Sequence, residues 1–189
     1  MRLKQALNQL RSKHSALDAN RRKLQELAGA AQRLSKQTIF ALQRGDGTGA
    51  NKLLAEARET LLKGKKILVH EQRLTNEGMW RAALEEYCEA SFFEKAVSGK
   101  DLFPPQDVTE DTDIILGALS DLIGEMVRLA VNAAIERNKE KVEEIFRLAQ
   151  ELVEFFLSLD LTGNLRSKAD QARQHLRRLE EVRYDLLKL

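Results

Sequence analysis

Two pairs of acidic residues have spacings that place both members on one helical face. Glu86 and Glu89 are i, i+3 neighbours, and Asp121 and Glu125 are i, i+4 neighbours. The surroundings of both pairs read as core. Asp121 and Glu125 belong to a narrow stripe with Gly117, Gly124, Arg128 and Asn132, and Ile114, Ile115, Leu119, Leu122, Ile123, Met126 and Leu129 fill the rest of that helix. Met79, Ala82, Ala90, Phe93 and Val97 share the stripe of the two glutamates. A helix apolar nearly all round is a buried one, and an ionised carboxylate taken from water needs a counter-charge or gives up its charge. If the two helices pack face to face, four carboxylates converge with Arg128 as the obvious internal cation. Hard oxygen donors with no His or Cys among them point to Mg²⁺, with Mn²⁺ as a substitute, rather than to zinc or copper. The competing arrangement is a buried ion-pair network through Arg81, Arg128 and Lys95.

Other chemistries find less support. His14, His70 and His175 lie outside the acidic motifs, which argues against a di-iron bundle built on Glu-x-x-His pairs. Gly45-Asp46-Gly47-Thr48-Gly49 has neither the Lys-Ser/Thr ending nor the preceding strand of a phosphate-binding loop, and reads as a turn. Cys88 is the single cysteine, so no internal disulfide forms; it reads as buried filler and fits a reducing compartment. The start of the chain is charged and shows no secretory signal. Charges also interrupt the best apolar run, so no membrane span is expected and a cytoplasmic location is.

These residues must be positioned by helices. The chain has 189 residues, 43% hydrophobic and 32% charged, with two prolines and a net charge of +2. That composition suits one all-α domain over residues 1–189, and the overall charge makes no case for nucleic acid by itself. The basic residues of the first and last helices read as solvated faces that phosphate could also meet. The periodicities predict an antiparallel bundle of about six to seven helices with a long first one. Helix one spans about Leu3 to Arg44, with a near-heptad seam of leucines and alanines interrupted by His14, Arg21 and Ser35. Arg21 there calls for an acid, and Asp18 is the nearest. The others cover about Ala50–His70, Asn76–Val97, Glu110–Asn132, Lys139–Leu159 and Leu165–Leu187, with Thr109 as the expected cap of the striped helix.

Several ordered segments resemble the translin family, and in particular its translin-associated factor X (Trax) branch. They are Ser35-Lys36-Gln37-Thr38-Ile39-Phe40-Ala41-Leu42-Gln43-Arg44, Glu86-Tyr87-Cys88-Glu89-Ala90, the run Leu116 to Arg128, Leu165 to Asp170, and Glu180 to Leu186. The resemblance covers most of the chain. It implies a Mg²⁺-dependent endoribonuclease for single-stranded RNA in which Glu86, Glu89, Asp121 and Glu125 are the catalytic, metal-holding acids. It also implies a prokaryotic, archaeal type of homologue that assembles with itself as a hollow octamer. Trp80-Arg81 is similar to a Trp-Arg pair in translin's RNA-binding segment, so Trp80 is expected to stack a base and Arg81 to hold phosphate. Arg21 and Arg128 complete the expected RNA contacts, although orienting a carboxylate is the role favoured for Arg128. One departure concerns helix one, where the family's Asp-x-x-Arg-Glu becomes Asp18-Ala19-Asn20-Arg21-Arg22, which removes a partner of Arg21.

Two other functions compete. One is a non-catalytic, translin-like binder of single-stranded nucleic acid in which the acids are structural. The other is an all-α nucleoside triphosphate pyrophosphohydrolase, a class whose second acid pair is usually spaced i, i+3 rather than i, i+4. Exposed leucines of helix one and the apolar end Leu186, Leu187 and Leu189 are expected to bury themselves between subunits.

Overall fold

The computed structural model describes residues 2–188. The described residues form six α-helices and no strand: α1 (Arg2–Gln43), α2 (Gly47–Leu68), α3 (Gly78–Val97), α4 (Thr112–Ile135), α5 (Lys139–Leu157) and α6 (Gly163–Leu187). A short 3₁₀ turn, Gln72–Asn76, precedes α3, whose expected start at about Asn76 falls in that turn. Local chemistry sets the ends. Asp46 caps α2 by accepting from Gly49 N at 2.8 Å, so the glycine-rich run starts a helix and cradles nothing. Asp111, rather than Thr109, caps α4, because its carboxylate accepts from the amides of Asp113 and Ile114 while Thr109 Oγ1 accepts from Asp111 N. Asn138 caps α5 in the same way through Lys141 N.

Direction along the bundle follows from these connections. Tight turns make α1 and α2, α4 and α5, and α5 and α6 antiparallel. The link from α3 to α4 is different. Arg81 at the start of α3 meets Asp111 at the start of α4, and a Cβ added to Gly117 would lie 2.8 Å from a Glu85 carboxylate oxygen, so the two helices advance together. The segment between them therefore runs back along the bundle. Pro104-Pro105 keeps it extended, while Lys95 donates to Phe103 O at 2.5 Å and Arg58 and Lys65 tie down Asp107. By the same reasoning α1 runs with α3, through Arg21–Glu77 and Lys36–Glu86, and α6 runs with α4, through Ser120 Oγ donating to Lys168 O at 2.7 Å.

One contiguous core holds all six helices, from Leu24 and Ala28 of α1 through Phe92, Phe93, Leu122 and Ile123 to Ala172 and Leu179 of α6. Trp80 lies in it at 2% exposure, and Gly64 makes room: a Cβ there would collide with the indole. Cys88 is fully buried, and burial pushes its thiol up to about 12, which leaves it inert filler as expected. The seam of α1 is buried only from Leu17 onward. Residues 2–16 stand clear of the bundle, with Leu3, Leu7 and Leu10 more than half exposed. Leu186 is buried, Leu187 is 65% exposed, and Leu189 lies outside the described residues. No described helix is long and apolar enough to cross a membrane.

Candidate functional site

Because α1, α3, α4 and α6 share a direction, their side chains meet level with one another midway along α3 and α4. All four acids are half-buried there. Glu89 is the least compensated. No hydrogen bond or ion pair reaches it among the described residues, and it faces Asp121, Glu86 and Glu125. Burial, then those three neighbours, push its carboxyl up to about 8, with Lys168 pulling the other way. Such a carboxyl prefers to keep its proton near neutrality, first because it is buried and then because three other acids face it.

Internal partners hold the rest. Lys168 Nζ of α6 lies 2.7 Å from Glu85 Oε1 and also binds Asp121 Oδ2. Burial disfavours that ammonium, but its hydrogen bonds to Asp121 and Glu85 win and keep its pKa above the ordinary value. Lys36 Nζ of α1 pairs with Glu86 at 3.1 Å. Gln43 Nε2 donates to both Oε2 of Glu125, at 2.9 Å, and its backbone oxygen, at 3.3 Å, while Gln43 Oε1 is buried without a donor. The two glycines of the α4 stripe admit side chains of this chain: Gly117 faces the Glu85 carboxylate, and Gly124 would bring a Cβ to 3.3 Å from His175 Nε2.

The cations assumed from sequence are elsewhere. Arg81 Nη1 binds Asp111 at 2.6 Å, Lys95 serves the α3–α4 connection, and Arg128 is exposed, its guanidinium 5.6 Å from the Phe40 ring centroid. Arg128 therefore orients no carboxylate among the described residues, because α4 is buried on its other faces and opens to solvent where Arg128 and Asn132 emerge. Trp80 cannot stack a base, since its ring is enclosed between α2 and α1. Arg21 has two acids, Glu77 at 2.8 Å and Asp18 at 3.0 Å; Glu77 comes from the residue before α3 and supplies the acid that Arg22 displaced from α1.

Glu85, Lys168, Lys36, Gln43 and Phe40 were missed as members of this level. Glu85 had a visible signal, since it is i, i+4 to Glu89 and thus shares a face with it. Lys168 had none, because only the packing of α6 separates it from the solvated basic residues around it.

The residues suit a divalent ion in kind. The donors are hard oxygens, Glu89 is uncompensated and Gln43 Oε1 is an orphaned buried acceptor. Glu86, Asp121 and Glu125 are turned to internal partners, however, and no three Asp, Glu, His or Cys groups among the described residues are gathered as an ion would gather them.

An all-α bundle with an acid-rich level between co-directed helices is the class these features define. A family model described as the Translin family matches residues 19–187, and the chain belongs to that family. The crystal structure of apo-NeC3PO, from Nematostella, is similar with a TM-score of 0.87 at 20% identity, over 95% of this chain and 96% of that one. The crystal structure of AfC3PO, from Archaeoglobus, is similar with a TM-score of 0.81 at 24% identity, over 98% and 97%. A complex of AfC3PO with duplex RNA gives 0.78 at 23%, over 98% and 96%. At such identities these likenesses speak for the fold. No curated protein matches the chain in sequence.

Proposed function

We propose that this chain is a metal-dependent endoribonuclease whose acids Glu86, Glu89, Asp121 and Glu125 hold Mg²⁺, with Mn²⁺ as a substitute, and that it cuts single-stranded RNA as a self-assembled, octameric shell. The observation that carries this reading is Glu89, a half-buried carboxyl without a partner, pushed up to about 8 among three other acids. A carboxyl perturbed by burial and by like charges in this way marks a candidate functional site. The oligomer and its RNA substrate rest on family membership, and the RNA complex of the Archaeoglobus protein agrees with an RNA ligand.

When bound, a divalent ion supplies Lewis-acid polarisation of a phosphoryl oxygen and acidifies a water. The chain's own residues do the rest. Glu89, whose carboxyl prefers to keep its proton up to about pH 8, would hold the ion as a carboxylate, so protons would compete with the ion there at lower pH. Gln43 fixes the carboxylate of Glu125, Lys168 fixes Asp121, and Arg128, free of any acid among the described residues, offers its guanidinium to phosphate.

Labelled single-stranded and duplex RNA, with and without Mg²⁺, provide the test, alongside nucleoside triphosphates. Mg²⁺-dependent internal cutting of the single strand is expected, abolished in Asp121→Asn and Glu89→Gln. RNA binding without cutting would favour the structural reading of the acids, and pyrophosphate release from triphosphates would favour the hydrolase.

A further inference from the structure

Phe40 is out of place for its type. Its neighbours Ile39, Ala41 and Leu42 are buried at 7%, 2% and 5%, yet the phenyl ring stands 52% exposed on the opposite side of α1. That side faces the rim of the acid cluster. Lys36, one turn before Phe40, pairs with Glu86, and Gln43, nearly one turn after it, holds Glu125. Phe40 is thus bracketed along α1 by two contacts to the candidate metal-holding acids. The exposed Arg128, three residues beyond Glu125 on α4, lays its guanidinium over the ring at 5.6 Å and makes no ion pair among the described residues.

We propose that Phe40 and Arg128 form a nucleotide subsite at the rim of the acid cluster, in which Phe40 stacks an unpaired nucleobase and Arg128 holds the adjoining phosphate. The inference rests on the RNA-substrate reading and deepens it. An open aromatic face beside a cation is the arrangement that takes single-stranded nucleic acid without reading its sequence. A duplex keeps its bases stacked on one another, so the same ring gains little from it. The role expected of Trp80 therefore falls to an aromatic residue at the cluster itself, since Trp80 is enclosed in the core.

The experiment measures binding in EDTA, where cleavage plays no part, by fluorescence anisotropy of a labelled single-stranded oligouridylate and of an RNA duplex. Phe40→Ala is expected to weaken the single strand about tenfold, within the span that one stacked base supplies. Phe40→Trp should bind at least as tightly as the parent, and duplex affinity should stay unchanged in both. Arg128→Gln should weaken binding and flatten its salt dependence by about 0.7 in the log–log slope, as expected for one lost phosphate contact to a single strand. Unchanged single-strand affinity in Phe40→Ala overturns the subsite, as does a loss that is equal for duplex. A loss accompanied by a fall in native mass also overturns it, since it makes Phe40 an assembly contact. If the parent binds no RNA, both this subsite and the proposed function fall; if the Phe40 effect holds but RNA is never cut, only the nuclease reading fails.

Discussion

The acid cluster has two sides, and they handle negative charge differently. On the α6 side, Glu85 and Asp121 share the ammonium of Lys168, whose side chain is only 16% exposed. On the α1 side, Glu125 receives a neutral amide from Gln43, and Glu89 between the two sides has no partner among the described residues. A fold that merely needed to neutralise its acids would have paired both sides. The contrast teaches that one half of the cluster is locked by a full cation while the other is left electrostatically open, and the open half is where a divalent ion gains most. Lys36 reaches Glu86 only from a largely exposed position, where an ion pair is weak.

The largest expected effect comes from breaking the locked side. Lys168→Met leaves Glu85 and Asp121 facing each other without their cation, and should cost about 2–3 kcal/mol, toward the low end for a broken buried pair because both acids keep some solvent. Thermal melting in EDTA would read this as a fall of roughly 5–10 °C. A melting temperature within a degree or so of the parent would show the lock to be ornamental.

Next is the open side, through pH. Folding raises the Glu89 carboxyl from 4.5 to about 8, so between those values the folded protein keeps a proton that the unfolded chain has shed. Stability is therefore greatest below the unfolded value and declines as pH rises across that window, levelling off above it. Glu89→Gln should remove that decline, leaving melting temperatures in EDTA similar at pH 5 and raising them at pH 8.5 by an amount corresponding to at most about 4 kcal/mol, the full linkage across that window. Equal pH slopes in the two proteins would mean that Glu89 is solvated like any surface acid.

The smallest effect tests how the locked side is fitted together. Alanine in a helix interior is usually favoured over glycine by about 1 kcal/mol. At Gly117 a Cβ would press on the Glu85 carboxylate at 2.8 Å and drive it from Lys168. Gly117→Ala is thus expected to gain nothing or to lose about 1 kcal/mol, and to recover the helix gain when made in a Glu85→Ala background. A double-mutant cycle by urea unfolding would measure the coupling. Simple additivity would separate Gly117 from the lock.

Much of the architecture was legible without coordinates. The apolar period of α4, the glycine-rich turn before α2, and the pairing of acids at i, i+3 and i, i+4 are local properties, and the helices appear within a few residues of their expected limits. The α4 cap fell on Asp111 rather than Thr109 because several polar residues in that loop compete for the same amides. The cations were misassigned for a deeper reason. Arg81, Lys95 and Arg128 lie near the acids in sequence, but a charge is matched in space, and Lys168 and Lys36 come from helices remote along the chain. Exposure misled in the same way: Trp80 invited a surface role and is core, while Phe40 sat in an apolar run and is open to solvent.

Sequence by itself determined the helices and the acid pairs, because period and spacing act over a few residues, and its ordered motifs carried the family resemblance. Only the tertiary structure decided that α3 and α4 run in the same direction, which brings Glu89 level with Asp121 and Glu125. It also decided which acids a lysine neutralises and which stay uncompensated, because desolvation and Coulomb energy depend on distances among four helices that no one segment encodes.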